Sequence, residues 1–158
     1  MSNPDNEILV VNDLKSKNQD ELLDKIFEIL YEKGYVTKNY KEAVKIREKE
    51  YPTGFELDGY GIAIPHTDAE YSKKNCLLVC KLKDEVIFKD AETLNPLKVK
   101  LIFALTFENN SKDMHIDTLA KLMALINSKE KTNKIINSDS CEEIQQELTN
   151  FFNTGGKA

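Results

Sequence analysis

No apolar run in this sequence approaches the roughly 20 residues that a membrane-spanning helix needs. Its opening, Met1-Ser2-Asn3-Pro4-Asp5-Asn6, lacks the basic flank and apolar stretch of a secretion signal. A cytoplasmic location without direct membrane insertion is therefore expected. Positive charge is also in deficit: 22 Lys and Arg against 27 Asp and Glu give a net charge of −5, with no basic stripe. Nucleic-acid binding, which relies on clustered cations to neutralise phosphates, is not expected. Several chemical signatures are missing as well. There is no G-x-x-x-x-G-K-[ST] loop for ATP, no strand followed by G-x-G-x-x-G, no H-E-x-x-H and no G-x-S-x-G elbow.

Cysteine is sparse, with three in the chain. Cys76 and Cys80 share the apolar run Cys76-Leu77-Leu78-Val79-Cys80. Along a strand their Cα atoms would lie about 13 Å apart, beyond the roughly 7 Å that a disulfide can bridge. Cys141 has no partner by sequence. Buried reduced thiols are the expectation, consistent with a reducing compartment.

What is present fits one compact domain over 1–158, with an ordered core at about 7–152. Ile8-Leu9-Val10-Val11 reads as a strand. Asn18 stands three residues before Glu21 as a helix cap, and Leu22, Leu23, Ile26, Phe27 and Leu30 follow at helical spacing up to Gly34. A second helix is expected from Thr37 or Asn39 to about Glu50. Its stripe of Tyr40, Ala43 and Val44 leads to Arg47, a guanidinium on the inward face. Such a group either snorkels or is aimed at an anion.

After the break Tyr51-Pro52-Thr53-Gly54, Ile62-Ala63-Ile64 is strand-like, and Pro65, with no N–H to donate, ends it. His66 then sits where the chain leaves the sheet. Cys76 to Leu82 and Val99 to Phe107 read as buried strands, separated by Asn95-Pro96. A polar loop, Asn109 to Asp113, precedes a helix with Ile116, Leu119, Ala120, Met123 and Ile126 on its expected inner face. A short helix near Glu130 to Ile136 follows. The last helix opens on a Ser140-x-x-Glu143 capping box and carries Ile144, Leu148, Phe151 and Phe152. Thr154 to Ala158 reads as a loose tail. The order predicts an α/β fold: a three-layer α/β/α sandwich with a small mixed sheet flanked by helices.

Only two histidines are available, His66 and His115. An imidazole is mostly neutral and nucleophilic near pH 7. His66 stands out by its place after a buried strand and a rigid proline. His115 stands out by its place in a helix's first turn, where backbone N–H groups favour anions. His66, Asp68, Glu70 and His115 could together hold a metal, but a polar surface loop explains the two acids equally well. No metal or cofactor is expected.

Gly61-Ile62-Ala63-Ile64-Pro65-His66 resembles the active-site stretch of fructose/mannitol-type enzyme IIA domains of bacterial sugar phosphotransferase systems. Arg47-Glu48-Lys49-Glu50-Tyr51-Pro52-Thr53-Gly54 resembles the family's R-E-x-x-x-x-T stretch, in the R-E-x-E-aromatic-P-T-G form of galactitol-type members. Met114-His115-Ile116-x-x-Leu119 is similar to its H-[IL]-x-x-L segment. The resemblance runs from about Ile8 to Phe152. It implies that His66 carries the phosphoryl group, that Arg47 contacts that group, and that His115 lies beside it. Thr53 is a further candidate donor. Thr67 departs from the pattern, where Gly, Ala or Cys is usual.

The partners implied are the phosphocarrier protein HPr as donor and a cysteine of enzyme IIB as acceptor, with enzyme IIC at the membrane. Galactitol is the leaning among hexitols, pentitols and fructose. A regulatory module phosphorylated as a signal is the alternative.

Overall fold

Residues 6–57, 59–108 and 112–153 are described by the computed structural model, the side chains of 6 and 112–115 excepted. The elements run β1 (Asn6–Leu14), α1 (Gln19–Glu32), α2 (Tyr40–Glu50), β2 (Phe55–Leu57), β3 (Tyr60–Ala63), β4 (Asn75–Lys89), β5 (Pro96–Thr106), α3 (Lys112–Asn127), α4 (Lys129–Asn137) and α5 (Cys141–Asn153). A 3-10 turn, Ala69–Tyr71, lies between β3 and β4. Residues 1–5, 109–111 of the expected loop and the 154–158 tail lie outside the described residues.

The five strands form one mixed sheet in the order β1-β4-β5-β3-β2. β1 runs parallel to β4, and β3 parallel to β5, while β4 pairs antiparallel with β5. Successive side chains of a strand point to opposite faces. Cys76, Leu78 and Cys80 accordingly pack with Leu22, Ile26, Leu30, Tyr40 and Val44 on one side. Leu77 and Val79 pack with Leu122, Ile126, Ile144 and Leu148 on the other. Two covered faces explain why these strands read as unbroken apolar runs, and the three layers are those expected. Cys76 and Cys80 are free and buried, and burial pushes both thiols up to about 12.

The helix signals hold where caps are written in the sequence. Asn18 Oδ1 accepts the Glu21 N–H at 2.9 Å, and Gly34, at φ 78°, ends the turn after α1. Ser140 Oγ likewise accepts the Glu143 N–H at 3.2 Å. The Glu143 carboxylate meets Ser138 Oγ at 3.3 Å instead of closing the box.

Three expectations are corrected. β2 was not foreseen, because three residues carry too little alternation to stand out. β4 and β5 continue as a paired arm to Lys89 and Pro96, past the exposed Lys83-Asp84-Glu85 that masks the buried Val86 and Phe88. α3 is turned only in part from its expected face, since Ile126 is buried and Leu119 packs against the core as expected. Leu122, Leu125 and Ile126 are buried, whereas Ile116 is 70% and Met123 40% exposed. Apolar residues occupy two overlapping stripes of that helix that share Leu119 and Ile126, and the one that adds Leu122 and Leu125 faces inward.

Candidate active site

The site is assembled at the edge of the sheet where β3 ends. Because β3 and β5 are parallel, their C-terminal ends share that edge, where α/β folds tend to gather polar function. Towards the start of the two strands, Gly61 permits their close approach. A Cβ on it would meet the Lys98 carbonyl oxygen at 2.4 Å.

After Ala63 the chain leaves the sheet through Ile64 and Pro65. The Pro65 carbonyl accepts the Leu105 N–H at 3.1 Å, which ties this exit to β5. His66 follows, partly buried, with Nδ1 2.7 Å from the Ile64 carbonyl oxygen. A carbonyl can only accept, so Nδ1 carries the hydrogen and the neutral ring keeps its lone pair on Nε2. Burial is the main influence holding the imidazole below its usual pKa, and the positive charge of Arg47 adds to it. The Ile64 carbonyl and Asp68 pull the other way without reversing the direction. The ring is thus neutral at pH 7, as a nitrogen nucleophile must be.

Arg47 comes from the last turn of α2. Its Nη1 is 3.8 Å from Asp68 Oδ1, and its guanidinium lies 4.8 Å from the centre of the Tyr51 ring. The side chain is 39% exposed. The long, half-exposed contact with Asp68 is a weak tie, so the guanidinium can turn to an incoming anion. Arg47 was expected on the inward face of α2. The inward position is instead Glu48, four residues after Val44 and 3% exposed. Helical spacing allows a step of three or of four from Val44, and the step of four, to the carboxylate, is the one that stays on the buried face.

Glu48 is held by one residue. Its Oε2 accepts the Thr53 N–H at 2.8 Å, and its Oε1 accepts the Thr53 hydroxyl at 2.7 Å. Thr53 Oγ1 in turn accepts the Ile64 N–H at 3.0 Å. Burial raises the Glu48 carboxyl to about 6, against the pull of the two Thr53 bonds. The single hydrogen of the Thr53 hydroxyl is therefore engaged by Glu48.

His66, Arg47 and Thr53 are thus brought to one edge, Thr53 through Ile64. His115 lies in the first turn of α3, which follows β5, but its side chain lies outside the described residues. Glu48 is the member that sequence reasoning missed. The resulting arrangement presents a neutral imidazole nitrogen beside a half-exposed guanidinium. That pair suits attack on an anionic electrophile.

Residues 5–151 match the family model described as "Phosphoenolpyruvate-dependent sugar phosphotransferase system, EIIA 2". The chain is 31% identical over 99 residues to the PTS system galactitol-specific EIIA component of Escherichia coli (strain K12). That match covers 63% of this chain and 66% of the relative, just under two thirds of its length. It is 30% identical over 145 residues to the mannitol-specific phosphotransferase enzyme IIA component of Staphylococcus aureus (strain Mu50 / ATCC 700699), covering 90% of each. Among solved structures, the fold resembles that in the complex of enzyme IIAMTL and phosphorylated enzyme IIBMTL from Escherichia coli. The TM-score is 0.72 at 22% identity, over 89% of this chain and 94% of that one.

Proposed function

The chain belongs to the EIIA type 2 family of the phosphoenolpyruvate-dependent sugar phosphotransferase system, and from that premise we propose that it is a phosphocarrier whose reacting atom is Nε2 of His66. The observation that carries this reading is the 2.7 Å contact between His66 Nδ1 and the Ile64 carbonyl. It leaves the other ring nitrogen with a lone pair, beside the charge of Arg47.

In the first step, the Nε2 lone pair attacks the phosphorus of phosphohistidine on HPr. The new N–P bond forms as the old one breaks, and the departing electron pair returns to the HPr ring. The phosphorylated His66 ring keeps its Nδ1–H and is positively charged, and the Ile64 carbonyl is the acceptor that meets this charge. In the second step, a cysteine thiolate of enzyme IIB attacks the same phosphorus. The S–P bond forms, the N–P bond breaks, and its electrons restore the neutral ring. Little covalent work falls to the protein in such transfers, so positioning and charge stabilisation dominate.

In this reading Arg47 turns its planar fork from Asp68 to the phosphoryl oxygens. The backbone N–H groups of the first turn of α3, with His115 among them, offer further donors. No metal or cofactor enters the steps. The chain 1–158 acts as a single domain, in the cytoplasm, between HPr and enzyme IIB with its membrane partner enzyme IIC. The R-E-x-E-Y-P-T-G stretch and the galactitol-specific relative favour a galactitol-type system.

The test is reconstitution. With phosphoenolpyruvate, enzyme I and HPr, the wild type should gain one acid-labile phosphoryl group, and His66→Ala should gain none. An unlabelled wild type, or equal labelling of His66→Ala, would overturn the reading.

A further inference from the structure

The contacts that lead from Glu48 to His66 go beyond closing a loop. Phe55 pairs with Ile62 and Leu57 with Tyr60 in the antiparallel β2–β3 ladder. Extending that register sets residue 53 opposite residue 64. At this rung the acceptor of the Ile64 N–H is the Thr53 hydroxyl, at 3.0 Å, so a side chain takes the place of a ladder carbonyl. A hydroxyl rotates, and by itself it would hold Ile64 loosely.

Glu48 removes that freedom. It takes the Thr53 N–H at 2.8 Å and the hydroxyl hydrogen at 2.7 Å, which fixes both the backbone and the rotamer of Thr53. On the far side, the Pro65 carbonyl is held by the Leu105 N–H at 3.1 Å, and the proline ring fixes its own φ. Ile64 is clamped on both sides, and its carbonyl is the group that determines which nitrogen of His66 carries the hydrogen.

We propose that Glu48 and Thr53 are a positioning pair that fixes the tautomer and direction of the His66 ring, and that the Thr53 hydroxyl is not a donor to the phosphoryl group. The proposal rests on His66 as the reacting residue and assigns a task to a carboxylate that the transfer steps leave unused. Neither residue touches the reacting atoms. They act through Ile64, in the manner of an outer shell that orients a reactive group. A purely structural Glu48, one that only closes the loop 51–54, would change stability and leave the ring as it is.

The experiment uses the full chain labelled with 15N, as wild type, Glu48→Gln, Thr53→Val and Thr53→Ser. Long-range 1H–15N spectra report the His66 tautomer directly, and steady-state transfer from phospho-HPr reports kcat and KM. The wild-type ring should show the Nδ1–H tautomer alone. In Glu48→Gln and Thr53→Val, signals of both tautomers should appear. In both, kcat should fall roughly tenfold, with KM for phospho-HPr within about twofold. Thr53→Ser, which keeps the hydroxyl, should restore both readouts.

Should Glu48→Gln fail to fold, the near-isosteric Thr53→Val carries the test. A folded Thr53→Val with the wild-type ring spectrum and wild-type kcat would overturn the proposal. A wild type that accepts no phosphoryl group would end the phosphocarrier reading instead, and the ring spectra would still decide the positioning claim.

Discussion

The β4–β5 centre of the sheet and the β3 exit at its edge are built by opposite means. The centre is long, regular and apolar. Leu78, Val79, Ile102 and Phe103 are all fully buried, and even its two cysteines are held as neutral thiols. The edge has strands of three and four residues, two glycines under close contact, and a buried carboxylate held by one threonine. The centre contributes most of the stabilisation, which scales with apolar area removed from water. The edge gives some of it up, because desolvating Glu48 raises the carboxyl toward neutral pH. Strain and buried polarity of this kind concentrate where a side chain must be held in one geometry.

The contrast can be broken most forcefully at the centre. Leu78→Ala should cost about 2–5 kcal/mol in urea unfolding, while molecules that remain folded accept phosphoryl groups at the wild-type rate. Gly61→Ala strikes the junction of the two regions. Its Cβ would stand 2.4 Å from the Lys98 carbonyl, so β3 must move off β5. A loss of about 3 kcal/mol is expected, and here the transfer rate should fall with stability because His66 moves with the strand.

Arg47→Ala should act on function alone. The half-exposed side chain contributes little to the fold, so the melting temperature should shift by no more than a degree or two. Phosphoryl acceptance should slow by the equivalent of roughly 1.5–3 kcal/mol, the worth of a charge-assisted hydrogen bond. Wild-type transfer in this variant would remove Arg47 from the site.

The smallest effect is one of pH. Glu48 titrates at about 6 in the folded chain against a reference of 4.5, so the folded state holds this proton more tightly than the unfolded one. Its contribution to stability is fully present below the unfolded value and is lost as pH rises to about 6. The difference amounts to about 2 kcal/mol. His66 slopes the other way, since its folded value is depressed and its contribution is lost as pH falls below 6.5. Wild type measured against Glu48→Gln between pH 4.5 and 6.5 isolates the carboxylate. A difference that does not vary with pH would refute its assignment.

The two regions also differ in how legibly they are written. The inner faces of α1 and α5, the strand cores of β4 and β5 and the caps at Asn18 and Ser140 were all readable, because periodicity and capping are local signals. His66 was readable from a strand, a proline and the family resemblance. Glu48 was not. A carboxylate in a charged stretch, Arg47-Glu48-Lys49-Glu50, looks solvated until the threonine that satisfies it is brought alongside by the 51–54 segment between α2 and β2. The arm beyond Leu82 was hidden for a similar reason. Its exposed charges dominate the pattern, and the buried Val86 and Phe88 take their meaning from pairing with residues 96–99. The inner face of α3 could not be chosen from two competing apolar stripes without the sheet beneath it.

In the proposed mechanism the Ile64 carbonyl pins one nitrogen of His66 and leaves the other to react. Phosphorus NMR of the phosphorylated chain at alkaline pH separates phosphate on Nε2 from phosphate on Nδ1. A single resonance of Nε2-phosphohistidine, lost in His66→Ala, is the expected result. A phosphoryl group on Nδ1 would contradict the claim, because the 2.7 Å hydrogen bond and that bond to phosphorus cannot share one atom.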